Sequence, residues 1–280
     1  MGSMRTPMTE PVPFVVATIL TFRRTDLLLR TVQAVRSQTR PPDLVLVVDN
    51  DHLARELLEP TPDVQLVETG ANLGPAGGYA LGFELALDQH ATKVWVVDDD
   101  VAPDPDCLER LLAASGGADV LIPLQTDPHG FHGHLPSWCG PLFDAVVVRT
   151  IGVPRADLFF WAEDTEYFWR ARAAGFPVRP VPEASVYHFN DEDHARGAER
   201  DWRLYYEVRN SLYVKTRLMP LTAKRTLRTY SGVLRKLAAI VFLESGKRRS
   251  IALWCRGCWD YLRGRLGKVV APEDWPRPRS

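Results

Sequence analysis

Three consecutive aspartates, Asp98, Asp99 and Asp100, follow directly on the apolar run Val94-Trp95-Val96-Val97. A buried strand that delivers three carboxylates to one sheet edge concentrates negative charge. Like charges so close raise one another's pKa unless a cation sits among them. A hard divalent ion, held by one or two carboxylates and by substrate phosphates, relieves that repulsion. A solvated turn is the plain alternative, since aspartate is common after strands. Asp164 is the next carboxylate of interest, following Phe159-Phe160-Trp161-Ala162-Glu163 at the start of an expected helix. There it can simply complement the helix dipole, and the same dipole keeps it ionised, as a general base must be. Glu163 and Glu166 are rivals, but Glu166 lies two residues further round the helix and points elsewhere. His188 closes the set. A lone imidazole is more often a packed side chain, yet beside two carboxylates it suits manganese better than magnesium or calcium.

The elements that must position these groups are legible as a pattern. Residues 14–20 read as a buried strand, 26–38 as a helix with Leu27, Leu28, Val32 and Val35 on one face, and 44–48 as a second strand running into Asp49. A third strand, 64–67, leads into the turn Asn72-Leu73-Gly74-Pro75-Ala76-Gly77-Gly78, a helix over 79–89, and the strand 94–97. Strands alternating with helices at this spacing predict a parallel, doubly wound sheet, whose ligand lies outside the carboxyl ends of the strands. Asp49, Asn72 and Asp98–Asp100 all fall just past such ends. Further on, the sequence predicts a His/Gly/aromatic loop over 129–140, a strand over 143–148, a helix running to Ala174, and a strand over 178–188. A polar loop from Asn190 to Gly197 then precedes helices to the end. The glycine-rich turn lacks both GxGxxG and a lysine-bearing P-loop. Its small residues either let a helix start approach a phosphate or sugar or serve a tight turn.

With 280 residues, 45% hydrophobic, 25% charged and a net charge of −1, the composition is that of a globular protein and gives no case for nucleic-acid binding. Charge is nonetheless uneven. Residues 224–268 hold twelve Lys or Arg against only Glu244 and Asp260, interleaved with Leu227, Leu234, Leu237, Ile240 and Val241. That pattern fits an interfacial helix on an anionic membrane, or a helical cap with a solvated basic face. Cys107, Cys139, Cys255 and Cys258 form neither a disulfide framework nor a zinc pattern, even with His129, His132 and His134 nearby. No signal peptide precedes the first strand and no apolar run is long enough to span a bilayer. The expectation is a cytoplasmic protein.

Seven motifs in order resemble the inverting family-two glycosyltransferases of the GT-A fold. They are Thr21-Phe22-Arg23-Arg24, Val47-Val48-Asp49-Asn50, the Asn72–Gly78 turn, the Asp98–Asp100 triplet, Trp161-Ala162-Glu163-Asp164, Val186-Tyr187-His188 and Tyr205-Tyr206-Glu207-Val208-Arg209-Asn210. Bacterial galactofuranosyltransferases and rhamnosyltransferases look most alike. The resemblance implies a Rossmann-like, mostly parallel α/β sheet in a catalytic domain over 12–215. Beyond it the charge pattern predicts a basic helical region over 216–270, with tails at 1–11 and 271–280. Phe22, Arg24, Asp49, Asn72, Gly77, Gly78, Asp98 and Asp99 would bind a UDP- or dTDP-sugar. Asp98, Asp100 and His188 would hold Mn2+ or Mg2+, and Asp164 would be the base. Trp138, Trp161 and Glu163 would meet the acceptor, which is a glycan, a lipid-linked glycan or a small molecule. A nucleotidyltransferase would need a glycine-rich basic loop after the first strand, and Thr18–Thr25 contains no glycine. A non-catalytic sugar-nucleotide binder would not need the base.

Overall fold

The computed structural model describes residues 12–58, 61–189, 199–244 and 247–271. Strand β1 (Val15–Thr21) is buried at every position, as a continuous β-branched run covered on both faces should be. Helix α1 (Thr25–Arg36) turns Leu28, Thr31, Val32 and Val35 inward, the spacing of one helical face. Next come β2 (Leu44–Asp49), β3 (Val64–Glu68), α2 (Gly74–Asp88) and β4 (Lys93–Asp98). The four strands run parallel in the order β3-β2-β1-β4. Their register sets Thr21 beside Asp49 and Leu20 beside Asp98. Three strands thus end level, and the loops beyond them share one sheet edge.

Past β4 the sheet changes character. It continues through β8 (Cys139–Asp144), β6 (Val120–Thr126), β9 (Val178–His188) and β5 (Val101–Pro103), with β7 (His132–Gly133) paired to β6. Strands β4 and β8 are antiparallel, β6 and β9 parallel, β5 and β9 antiparallel. The last pairing sets Val101 opposite His188 and so carries the histidine to the end of the aspartate triplet. Helices α1 and α3 (Cys107–Ala114) cover one face of the sheet. On the other lie α2, α4 (Ala145–Ile151) and α5 (Glu163–Ala173). Helices α6 (Glu199–Tyr213), α7 (Ala223–Leu243) and α8 (Lys247–Arg263) form a separate cluster, with Leu204, Val208 and Leu212 packed on Ile240 and Tyr261.

Two expectations need correction. The Gly74–Gly78 segment is the first turn of α2 rather than a free turn before a helix at 79. Pro75 sits where its missing N–H costs nothing, and the glycines serve packing: a Cβ on Gly78 would stand 2.3 Å from Leu20 Cδ1. The expected strand over 143–148 is the end of β8 followed by α4. Asp144 caps that helix, its carboxylate accepting from the Val146 amide at 2.8 Å. A valine run looks the same in either state.

Candidate active site

The triplet is tied together before any substrate arrives. Asp99 and Asp100 are each 4% exposed. The Arg24 guanidinium donates to both, at 3.0 Å and 2.6 Å. Burial works against that charge, but the two carboxylates more than hold it and raise the Arg24 pKa. Asp99 also accepts from the Thr21 hydroxyl at 2.8 Å and the Phe22 amide at 3.4 Å. His188 Nε2 lies 3.2 Å from Asp100 Oδ1, and Gln125 Nε2 stands 3.3 Å from its Nδ1. Burial alone would lower the His188 pKa, whereas the bond to Asp100 and the charges of Asp100 and Asp98 raise it overall. Asp98 accepts from the Tyr79 hydroxyl on α2 and, at 3.9 Å, from the Cys139 thiol. Burial and then the charge of Asp100 push its carboxyl up to about 7. Among the described residues no three His, Cys, Asp or Glu side chains are gathered into a closed metal cluster. Asp100 and His188 are the pair that stand together.

Helix α5 brings the second carboxylate group to the same place. Asp98 contributes to the raised pKa of Glu163, and Asp164 to that of Cys139. The start of α5 therefore lies within electrostatic reach of the triplet. The Asp164 carboxyl is raised by burial, against the Thr165 amide and hydroxyl, which donate to it, and the charge of Lys215. Glu163 is buried further: desolvation first, then the charge of Asp164, push it up to about 8. The Trp138 indole N–H beside it favours the ionised form, although neither that N–H nor Glu163 Oε2 closes a well-formed hydrogen bond. Glu166 turns away to Arg170, as expected from its position, at 3.0 Å from both Nε and Nη2.

Other site residues fall less simply. Asp49 is fully buried, and its carboxylate accepts the amides of Asp51, His52 and Ala54 at 3.0, 3.0 and 2.8 Å, which organises the loop after β2. Asn72 accepts from the Gly74 amide at 2.8 Å. Gly77 and Gly78 are buried against Leu73 and Leu20. Phe22 lies under the Arg23 guanidinium, 4.9 Å from its ring centre. Trp138, expected at the acceptor, is 4% exposed among Tyr79, Phe83, Phe143, Tyr167 and Phe168. Trp161 is 41% exposed. The Asn190–Gly197 loop lies outside the described residues. Sequence reasoning missed Thr21, Tyr79, Gln125 and Cys139, each placed at the triplet by the sheet pairing or by α2. The four cysteines are free thiols.

A parallel half-sheet, continued by a mixed half and carrying an acidic triplet past its central strand, is the architecture of a GT-A glycosyltransferase. Residues 17–126 match the family described as Glycosyl transferase family 2. The galactofuranosyltransferase GlfT1 of Mycolicibacterium smegmatis is 32% identical, across 62% of this chain and 70% of that protein. GlfT1 of Mycobacterium tuberculosis is 29% identical across 93% and 96%. The chain belongs to the family-two glycosyltransferases and is an enzyme of glycosyl transfer. The mannosyltransferase PcManGT of Pyrobaculum calidifontis, solved with GDP-Man and Mn2+, shares the fold. Its TM-score is 0.55 at 17% identity, over 91% of this chain and 89% of that one.

Proposed function

We propose that this enzyme moves galactofuranose or rhamnose from a UDP- or dTDP-sugar to an acceptor hydroxyl, with inversion, and that Asp164 is the base. The names of the two relatives favour galactofuranose. The observation that carries the base assignment is the contrast within Glu163-Asp164. Burial raises both carboxyls, Glu163 up to about 8, but only Asp164 accepts from the Thr165 amide and hydroxyl and feels the charge of Lys215, all of which favour its ionised form. Ionised, Asp164 can take the proton of an attacking hydroxyl. A single base opposite the leaving group gives in-line displacement without a covalent sugar–enzyme intermediate.

The donor set at the triplet suits a divalent cation, Mn2+ or Mg2+. Asp100 and His188 would supply a carboxylate and an imidazole, with Asp98 beside them, and a pair of protein ligands leaves positions for donor phosphates. A cation bound there neutralises charge on the departing nucleoside diphosphate. Arg24 lies against the same carboxylates and would keep them in place while the donor enters. Phe22 and Asp99 would meet the nucleotide and sugar, and Trp161 the acceptor.

We place the catalytic domain over 12–215 and an accessory helical region over 216–270. The outer stripe of α7 favours a membrane-bound, lipid-linked acceptor. Leu227, Leu234 and Phe242 are 73%, 59% and 82% exposed, and Arg228 and Arg235 flank them. Lys215, Lys224, Arg225 and Arg228 line an adjoining groove of about 350 Å³ with no carboxylate in its walls. Apolar side chains framed by cations match an anionic lipid surface. Among the described residues no helix is long and apolar enough to cross a membrane. The reading is a peripheral enzyme on the inner, cytoplasmic face.

The decisive experiment is Asp164→Asn. UDP affinity, measured calorimetrically with Mn2+, should stay unchanged while turnover falls by about 10²–10⁴. A variant that keeps most of its turnover removes Asp164 as base. For the membrane reading, sedimentation with phosphatidylglycerol vesicles should show binding that weakens with salt, and no binding at any salt removes it.

A further inference from the structure

The segment that delivers Asp164 is held in an unfavourable shape by a residue far along the chain. Phe159, Trp161 and Ala162 all have positive φ, at 62°, 73° and 66°. Side chains rarely tolerate that region, so surrounding contacts must impose it. The contacts come from α6. Asn210 is fully buried, and its Nδ2 donates to the carbonyls of Leu158, Phe160 and Trp161 at 2.8, 2.7 and 3.1 Å. Its Oδ1 accepts from Arg209 Nε at 2.7 Å, which turns the amide so that its N–H groups face the loop. Arg209, also fully buried, donates onward to Leu158 O at 3.0 Å and Gly267 O at 2.8 Å. From the other side, the Ala76 amide of α2 donates to Phe159 O at 3.2 Å. A Cβ on Gly74 would meet that same oxygen at 2.2 Å. The loop is therefore gripped between α6 and the start of α2, two residues before the carboxylate.

We propose that Asn210, oriented by Arg209, is a positioning residue for glycosyl transfer: it fixes the left-handed loop 158–162 and thereby the placement of Asp164. Neither side chain needs to touch substrate. The inference rests on Asp164 being the base. Loosening the loop should misplace that carboxylate and leave the triplet intact, so turnover suffers and nucleotide binding does not.

The test is Asn210→Ala, compared with wild type and Asp164→Asn in one transfer assay. The expected result is a kcat about 10²-fold lower, a donor KM within about threefold, unchanged UDP–Mn2+ affinity, and faster amide hydrogen exchange confined to residues 158–164. Asn210→Asp, which cannot donate, should match it. Turnover within about threefold of wild type in folded Asn210→Ala overturns the proposal. Equal losses of nucleotide affinity and turnover also overturn it, because they mark a general structural role. Should Asn210→Ala fail to fold, Asn210→Ser retains one donor and is read by the same split, with kcat reduced about tenfold. A normal donor KM alongside normal kcat in that variant overturns the idea equally. If Asp164→Asn keeps its turnover while Asn210→Ala loses it, the base assignment fails, and with it the proposal that Asn210 acts through Asp164; loss in Asp164→Asn without loss in Asn210→Ala overturns the proposal alone.

Discussion

Glu163→Gln gives a sharp test of how burial divides two adjacent carboxylates. Glu163 is 5% exposed. Its carboxyl ordinarily titrates at 4.5 and is pushed up to about 8 by desolvation and then by Asp164. As pH rises above 4.5, an unfolded chain releases this proton while the folded chain keeps it. The contribution of Glu163 to stability therefore falls through the window from 4.5 to about 8. Each pH unit in that window costs about 1.4 kcal/mol, so from 4.5 to pH 7 the penalty reaches about 3 kcal/mol. Glutamine keeps the shape and never ionises. The variant should match wild type near pH 4.5 and exceed it at pH 7 by up to about 3 kcal/mol, roughly 5 °C in Tm for a chain of this size.

Urea unfolding of both proteins between pH 5 and 8 measures the difference directly. Asp98, pushed up to about 7, and Asp51, pushed up to about 6, slope in the same direction. Asp51 is the same in both proteins and cancels in the comparison, whereas Asp98 interacts with Glu163 and cancels only in part. Parallel pH curves, or a variant less stable at pH 7, would mean that Glu163 is ionised and paired in the fold. Activity supplies the second arm. With Asp164 as base, Glu163→Gln should keep turnover within about tenfold, whereas a loss of about 10²–10⁴ would move the proton-accepting role to Glu163.

Arg24→Met removes the guanidinium that Asp99 and Asp100 share and should cost about 3–5 kcal/mol without metal. Thermal unfolding should show the loss shrinking on adding Mn2+ with UDP; an unchanged Tm refutes the neutralising role. Gly78→Ala forces a methyl to 2.3 Å from Leu20 Cδ1, so a loss of about 1–3 kcal/mol in urea unfolding is expected from overpacking. A neutral result would show that α2 can lift off β1 without cost.

Much of the donor half was legible because it rests on local signals. The run Val94–Val97 followed by three aspartates carries a strand and its chemistry in seven residues, and β–α alternation alone implies that Asp49 and Asp98 end at one edge. What the sequence hid is non-local. Nothing near Gly74–Gly78 announces that these glycines meet Leu20 and Phe159, so they read as a turn. Trp138 was expected at the acceptor from the family resemblance, but the antiparallel pairing of β4 with β8 folds it into the aromatic core. Arg209-Asn210 was visible only as a motif. Its task depends on three carbonyls about 50 residues away, and carbonyls leave no trace in a sequence. The strain at Phe159, Trp161 and Ala162 is equally silent, since none of the three is a glycine. It is the residue pair on α6 that explains how ordinary side chains hold that shape, two residues before Asp164.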